Sequence, residues 1–255
     1  MNKLPKVNFY FWVMKICATT LGETAGDLLS MTLNLGYTVS SLILVGLLAA
    51  ALVAQLLSKA YYPLLYWIVI LLTSTAGTTM SDFMDRTLGL GYMEGSSILL
   101  GILLSIFGLW RLSGSSFSVE NIRTFKVELL YWTAILFSNT LGTAFGDFLA
   151  DDSGLGFGGG ALLIGSVLAV IMVAAFYTKV SNVLLFWMAF VLTRPFGATM
   201  GDFLTKTPGK GGLGFGTVGS SIVLALILVI FIVLEMKQEK KAAASQLEVV
   251  KDGQV

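Results

Sequence analysis

The sequence predicts an all-α membrane protein of eight transmembrane helices, made from four two-helix repeats. Three observations carry this expectation: an apolar composition, eight apolar stretches of spanning length, and one motif written four times. Of the 255 residues, 56% are hydrophobic and only 12% are charged. The mean hydropathy of +0.84 lies far outside the range of a soluble domain.

Stretches long enough to cross about 30 Å of hydrocarbon fall at about 8–29, 38–57, 62–84, 94–112, 127–149, 159–177, 181–204 and 216–235. Lys3 and Lys6 give the first stretch the look of a signal peptide. It also contains Lys15 and Glu23 and ends without a small-x-small cleavage site, so it reads as a retained helix. Basic residues set the orientation. One side collects Lys3, Lys6, Lys59, Arg111, Arg123, Lys126, Lys179, Lys237, Lys240 and Lys241, and the other only Arg86, Lys206 and Lys210. Both termini are therefore expected on the cytoplasmic side of the cell membrane. The chain divides into a first half (1–113), a polar cytoplasmic linker (114–124), a second half (125–235) and a charged, Ala/Ser-rich cytoplasmic tail (236–255).

The composition excludes several functions. A net charge of +1, with aromatics inside apolar runs, offers no field for nucleic acid. The absence of histidine and the single Cys17 remove His ligation, Ser/His and Cys/His catalysis, disulfides and thiolate clusters. Gly156-Phe157-Gly158-Gly159-Gly160 lacks the lysine pattern of a phosphate loop. No catalytic residue and no cofactor is expected, and the available chemistry is that of carboxylates, hydroxyls, buried cations and backbone.

The repeat is the strongest signal. Trp12, Trp67, Trp132 and Trp187 are each followed ten residues later by glycine (Gly22, Gly77, Gly142, Gly197) and fifteen residues later by aspartate (Asp27, Asp82, Asp147, Asp202). A Leu-Gly-aromatic step follows each aspartate, at Leu35-Gly36-Tyr37, Leu90-Gly91-Tyr92, Leu155-Gly156-Phe157 and Leu213-Gly214-Phe215. The last copy carries an insertion at Pro208-Gly209-Lys210. Trp12 to Trp132 and Trp67 to Trp187 are both 120 residues, so a pair of units was duplicated as a block. Each unit crosses twice, so all four run parallel. They fit two similar halves or a pseudo-fourfold bundle about the membrane normal.

In these motifs, TLGETAGD, TAGTTMSD, TLGTAFGD and PFGATMGD, the chain resembles a family of bacterial integral membrane proteins of unknown function. That family is built from four tandem two-helix repeats, each with a characteristic tryptophan. The resemblance covers nearly the whole membrane portion and implies the eight-helix repeat fold, with no activity attached.

Tryptophan to aspartate spans about 22 Å of helix. Positions seven, eleven and fifteen after each tryptophan share one face: Thr19, Glu23, Asp27; Ser74, Thr78, Asp82; Asn139, Thr143, Asp147; Arg194, Ala198, Asp202. A carboxylate in hydrocarbon costs at least about 2.5 kcal/mol, so these stripes should face one another and leave the even helices to lipid. Capping of the Gly-containing turns is the competing reading of each aspartate. Arg194 needs a carboxylate partner, with Glu23 or Asp27 expected, and Pro195 should kink or unwind the seventh helix. Lys15 is expected to snorkel to headgroups, the tryptophans to form an interfacial belt, and the glycines to allow close helix approach.

Hard oxygen ligands suit Mn²⁺, Mg²⁺, Ca²⁺ or protons. The expected function is transport of a small cation, such as divalent Mn²⁺, by a proton-linked carrier. Asp27, Asp82, Asp147, Asp202 and Glu23 would form the metal site, with Arg194, Thr19, Ser74, Thr78, Asn139 and Thr143 in support. A passive cation channel and a non-transporting scaffold or lipid-embedded enzyme are the alternatives. The partners expected are the lipid bilayer, the cation and protons; an oligomer is left open.

Overall fold

The computed structural model describes residues 4–117, 122 and 124–252, with side chains as far as Lys241. Lys3 and Arg123 of the orientation argument, and part of the 114–124 linker, lie outside the described residues. Among the described residues there are eight long helices and no strand: α1 (Phe9–Asp27), α2 (Gly36–Leu57), α3 (Pro63–Asp82), α4 (Tyr92–Leu112), α5 (Phe125–Asp147), α6 (Gly156–Tyr177), α7 (Asn182–Thr205) and α8 (Thr217–Asp252). Six of them, all but α1 and α5, are long and apolar enough to cross a membrane. α1 carries Lys15, Glu23 and Asp27, and α5 carries Glu128, Asn139 and Asp147. Most residues of both helices are buried, so these polar groups meet protein rather than lipid.

Local sequence starts and stops the helices. The Asn8 side chain accepts from Phe11 N at 2.9 Å, and Thr124 caps Val127 N at 3.4 Å. Pro63 occupies the first turn of α3, where its missing N–H costs nothing. In the first three repeats the helix does not end at the aspartate but widens into a π-helical turn, Leu28–Thr32, Phe83–Thr87 and Phe148–Asp152. The glycine of each Leu-Gly-aromatic step then reverses the chain with a left-handed backbone: φ is +74° at Gly36, +77° at Gly91, +67° at Gly156 and +76° at Gly214. A side chain there would be strained, which accounts for this motif.

α1, α3, α5 and α7 pack in a closed ring, each on its two neighbours in the order α1–α3–α5–α7–α1. Each outer helix packs chiefly on the inner helix of the next repeat: α2 on α3, α4 on α5, α6 on α7, and α8 back on α1. The chain thus closes through its last helix. The outer helices leave aliphatic side chains exposed, including Leu42, Leu104, Val170 and Leu226.

The repeated glycines make the ring close. A Cβ built on Gly77 would lie 3.0 Å from the backbone of Asn139 and Thr140, and one on Gly197 would lie 2.6 Å from Thr19 Oγ1. Gly22 meets Ser74 and Gly142 meets Arg194 in the same way. At all four interfaces, therefore, the glycine ten residues after the tryptophan receives the residue seven after the tryptophan of the next repeat. This is the close approach that small residues give membrane helices.

α7 continues through Pro195 without unwinding; its ring packs at the Gly142 notch, with Cδ 2.9 Å from a Cβ built there. α8 runs on past Glu235 to Asp252. One expectation is corrected. The tryptophans are not an exposed belt: Trp67, Trp132 and Trp187 are buried, and all four join an aromatic cluster with Phe11, Tyr66, Tyr131 and Phe186. Their rotation about the helix turns them inward.

Candidate functional site

The inner faces of the ring helices form layers four residues apart. One residue before the tryptophans lie Phe11, Tyr66, Tyr131 and Phe186, with the two tyrosine hydroxyls 3.0 Å apart. Next come Lys15, Ile70, Ile135 and Phe190, all fully buried. Then follow Thr19, Ser74, Asn139 and Arg194, also fully buried, and after them Glu23, Thr78, Thr143 and Ala198. The four aspartates form the last layer, each at most 4% exposed. The polar stripes therefore converge on one axis, and most of their hydroxyls are held on carbonyls of their own helix, as with Thr19 on Lys15 O at 3.0 Å and Thr143 on Asn139 O at 3.4 Å. Asn139 Nδ2 crosses to Thr73 Oγ1 at 3.0 Å.

Arg194 reaches across the ring. Its Nη2 pairs with Glu23 Oε2 at 2.9 Å and also donates to the hydroxyls of Thr78 and Thr143. Nη1 donates to Thr19 O at 3.3 Å, and Nη2 lies 3.4 Å from Ser74 O. One guanidinium thus ties the fourth repeat to the other three. Of the two expected partners the structure selects Glu23.

The aspartates do not cap the following turns; the π-helical turns begin without a side-chain cap bond. They are instead joined in pairs by two cations absent from the expected site. Arg86 Nε lies 2.9 Å from Asp82 Oδ1 and its Nη2 lies 3.3 Å from Asp147 Oδ2. Lys206 Nζ lies 2.6 Å from Asp27 Oδ2 and 3.1 Å from Asp202 Oδ1. Each cation stands four residues after an aspartate of an even-numbered repeat, and the two are 120 residues apart. That spacing was the available signal, obscured because both residues read as loop charges. Burial pulls the Lys206 ammonium down, but the Asp202 and Asp27 carboxylates outweigh it and hold it above the ordinary lysine value.

Of the five expected ligands, Glu23, Asp27 and Asp202 come together, with one carboxylate oxygen of each within 4.8 Å of the others. Asp82 and Asp147 form the second pair, closed by Arg86. Lys15 does not snorkel: it is fully buried, with Nζ 3.9 Å from the centre of the Phe190 ring and no hydrogen-bond partner. Its register is that of Ile70 and Ile135, which turns it inward.

Tandem two-helix units with six apolar spans define a multi-pass helical membrane protein in contact with lipid. The chain belongs to the family described as Repeat of Unknown Function (DUF347), whose model matches at residues 10–61, 65–116, 130–181 and 185–241. Each match takes in one inner helix and the outer helix after it, as the motif resemblance led us to expect. No curated protein and no solved structure matches the chain.

Proposed function

We propose that this protein is a proton-linked carrier of a small cation, with a divalent metal such as Mn²⁺ as substrate. In this reading all eight helices span the cell membrane and both termini are cytoplasmic. The four repeats surround an axis along the membrane normal, α1 and α5 being shielded from lipid by their neighbours. The observation that carries the reading is the buried set of five carboxylates, three of them converging as hard oxygen donors. They are neutralised only in part, because three cations of the chain itself, Arg86, Arg194 and Lys206, face five carboxylates. Oxygen donors bind such a cation when its charge replaces that of an internal ammonium or proton, which is the economy of an exchanger. Glu23 and the aspartates hold the cation, Arg194 holds Glu23 in place, and the Thr19, Ser74, Thr78, Asn139 and Thr143 layer lines the approach.

A passive channel fits less well. The axis is crossed by Arg194 and closed beyond it by the paired Tyr66 and Tyr131 hydroxyls, and conduction needs a continuous path. Reconstitution in proteoliposomes tests the proposal. A Mn²⁺ gradient should drive saturable uptake with opposite proton movement, and Asp202→Asn should abolish it. Glu23→Gln should leave residual flux without its pH dependence. Absence of cation flux, or a current that never saturates, would reject a carrier.

A further inference from the structure

We infer that Lys206 is a tethered stand-in for the substrate: its ammonium occupies the Glu23–Asp27–Asp202 site, and a divalent cation binds by displacing it. The inference rests on the carrier reading above and specifies how its site is held between substrates.

The two bridged pairs look equivalent but are built differently. Arg86 is clamped. It sits in a π-helical turn of the helix, engages Asp82 through Nε and Asp147 through Nη2, reaches the Tyr37 hydroxyl through Nη1 at 3.4 Å, and lies between the Tyr37 and Tyr92 rings at 5.9 and 5.7 Å. A planar fork in that many contacts is fixed. Among the described residues, the Lys206 ammonium pairs only with its two carboxylates. It is the first residue beyond α7, on extended backbone, where the fourth repeat replaces the π-helical turn by the inserted loop. A lysine is a compact charge on a flexible stem and can withdraw by side-chain rotation alone.

The site also has capacity beyond what Lys206 uses. One ammonium lies 2.6 Å from Asp27 Oδ2 and 3.1 Å from Asp202 Oδ1, so a single positive charge is shared between two carboxylates whose side chains are each 5% exposed. Glu23 is neutralised by Arg194, so Asp27 and Asp202 leave two negative charges. Lys206 cancels one of them, whereas a divalent cation cancels both and removes the residual buried charge. The same sum disfavours a monovalent ion, which would only match the lysine already there.

Mn²⁺ binding to the purified full-length protein by equilibrium dialysis is the test. Losing the competitor in Lys206→Met should tighten Mn²⁺ binding by about tenfold or more, while Lys210→Met, an equal charge loss on the exposed part of the same loop, should stay within about twofold of wild type. Equal affinity in wild type and Lys206→Met overturns the stand-in role and leaves the carrier reading intact. No Mn²⁺ binding by either protein overturns both. Should Lys206→Met fail to fold, wild type gives the answer by amine labelling and mass spectrometry. Saturating Mn²⁺ should raise the reactivity of Lys206 several-fold and leave Lys210 unchanged; unchanged or reduced labelling of Lys206 refutes displacement.

Discussion

Removing Arg194 and Glu23 separately and together measures how far one ion pair holds the ring. Arg194→Met deletes a fully buried guanidinium that contacts all three other repeats. It leaves Glu23, 3% exposed, with only the Thr78 hydroxyl at 3.2 Å. Stranding one member of such a pair costs about 3–5 kcal/mol. Glu23→Gln keeps an acceptor for Arg194 but removes its charge, and hydrogen bonds to charged groups contribute about 1.5–3 kcal/mol. Summed independently, the two losses reach about 4.5–8 kcal/mol on those figures. In the double variant neither charge is stranded, so its loss should fall short of the sum by about 1.5–3 kcal/mol. Equilibrium unfolding of the four proteins in mixed micelles, followed by tryptophan fluorescence, closes the cycle. Additivity within about 0.5 kcal/mol would mean that the 2.9 Å contact contributes no coupling and that Arg194 is held by the Thr78 and Thr143 hydroxyls and the Thr19 and Ser74 carbonyls.

Three further predictions follow from the packing and the charges. Gly77→Ala forces a methyl group to 3.0 Å from the Asn139–Thr140 backbone and should destabilise by about 1–3 kcal/mol. Gly101→Ala, with nothing within 4 Å, should be neutral or stabilise by up to about 1 kcal/mol; equal effects in thermal unfolding would refute the notch. The Lys206 ammonium is held above the ordinary lysine value, so its contribution is complete below about pH 10.4 and lost only as pH rises through the folded value. The stability deficit of Lys206→Met should therefore be constant from about pH 7 to 9, and a deficit shrinking there would mean that the amine titrates early. Cysteines placed at Ser116 and Asp152, both exposed, should react with an impermeant maleimide from inside and outside respectively; the reverse pattern would invert the orientation.

The repeats were legible because one packing solution is written four times at fixed spacing. Trp12, Gly22 and Asp27 recur in every unit, and so does the left-handed glycine at or just before the start of each outer helix. The Glu23–Arg194 contact was legible for a different reason: each charge occurs once in a buried stripe, and each needs the other. Hydropathy failed where it gives depth but not rotation. Lys15 and the tryptophans were sent to lipid, whereas the four-residue register turns them inward. Arg86 and Lys206 were missed because the apolar stretches were read as ending at 84 and 204, which left both residues in loops. The π-helical turn at Phe83–Thr87 keeps Arg86 over Asp82, and no local propensity marks such a turn.

The four inner helices are alike in packing and unlike in charge, and that contrast bears on function. The glycine notches obey a fourfold rule, the aspartate-bridging cations Arg86 and Lys206 a twofold one, and Glu23, Arg194 and Lys15 occur once each. A ring that needed only to hold together would gain by filling these layers with aliphatic side chains, since buried ion pairs seldom stabilise more than well-packed apolar groups. The layer holding Lys15 already has Ile70, Ile135 and Phe190 in the other three places, so an apolar solution is within reach of this backbone. Unequal charges retained on an equal scaffold place the difference between the repeats in the site, on the side of α1 and α7 where Glu23, Asp27 and Asp202 converge.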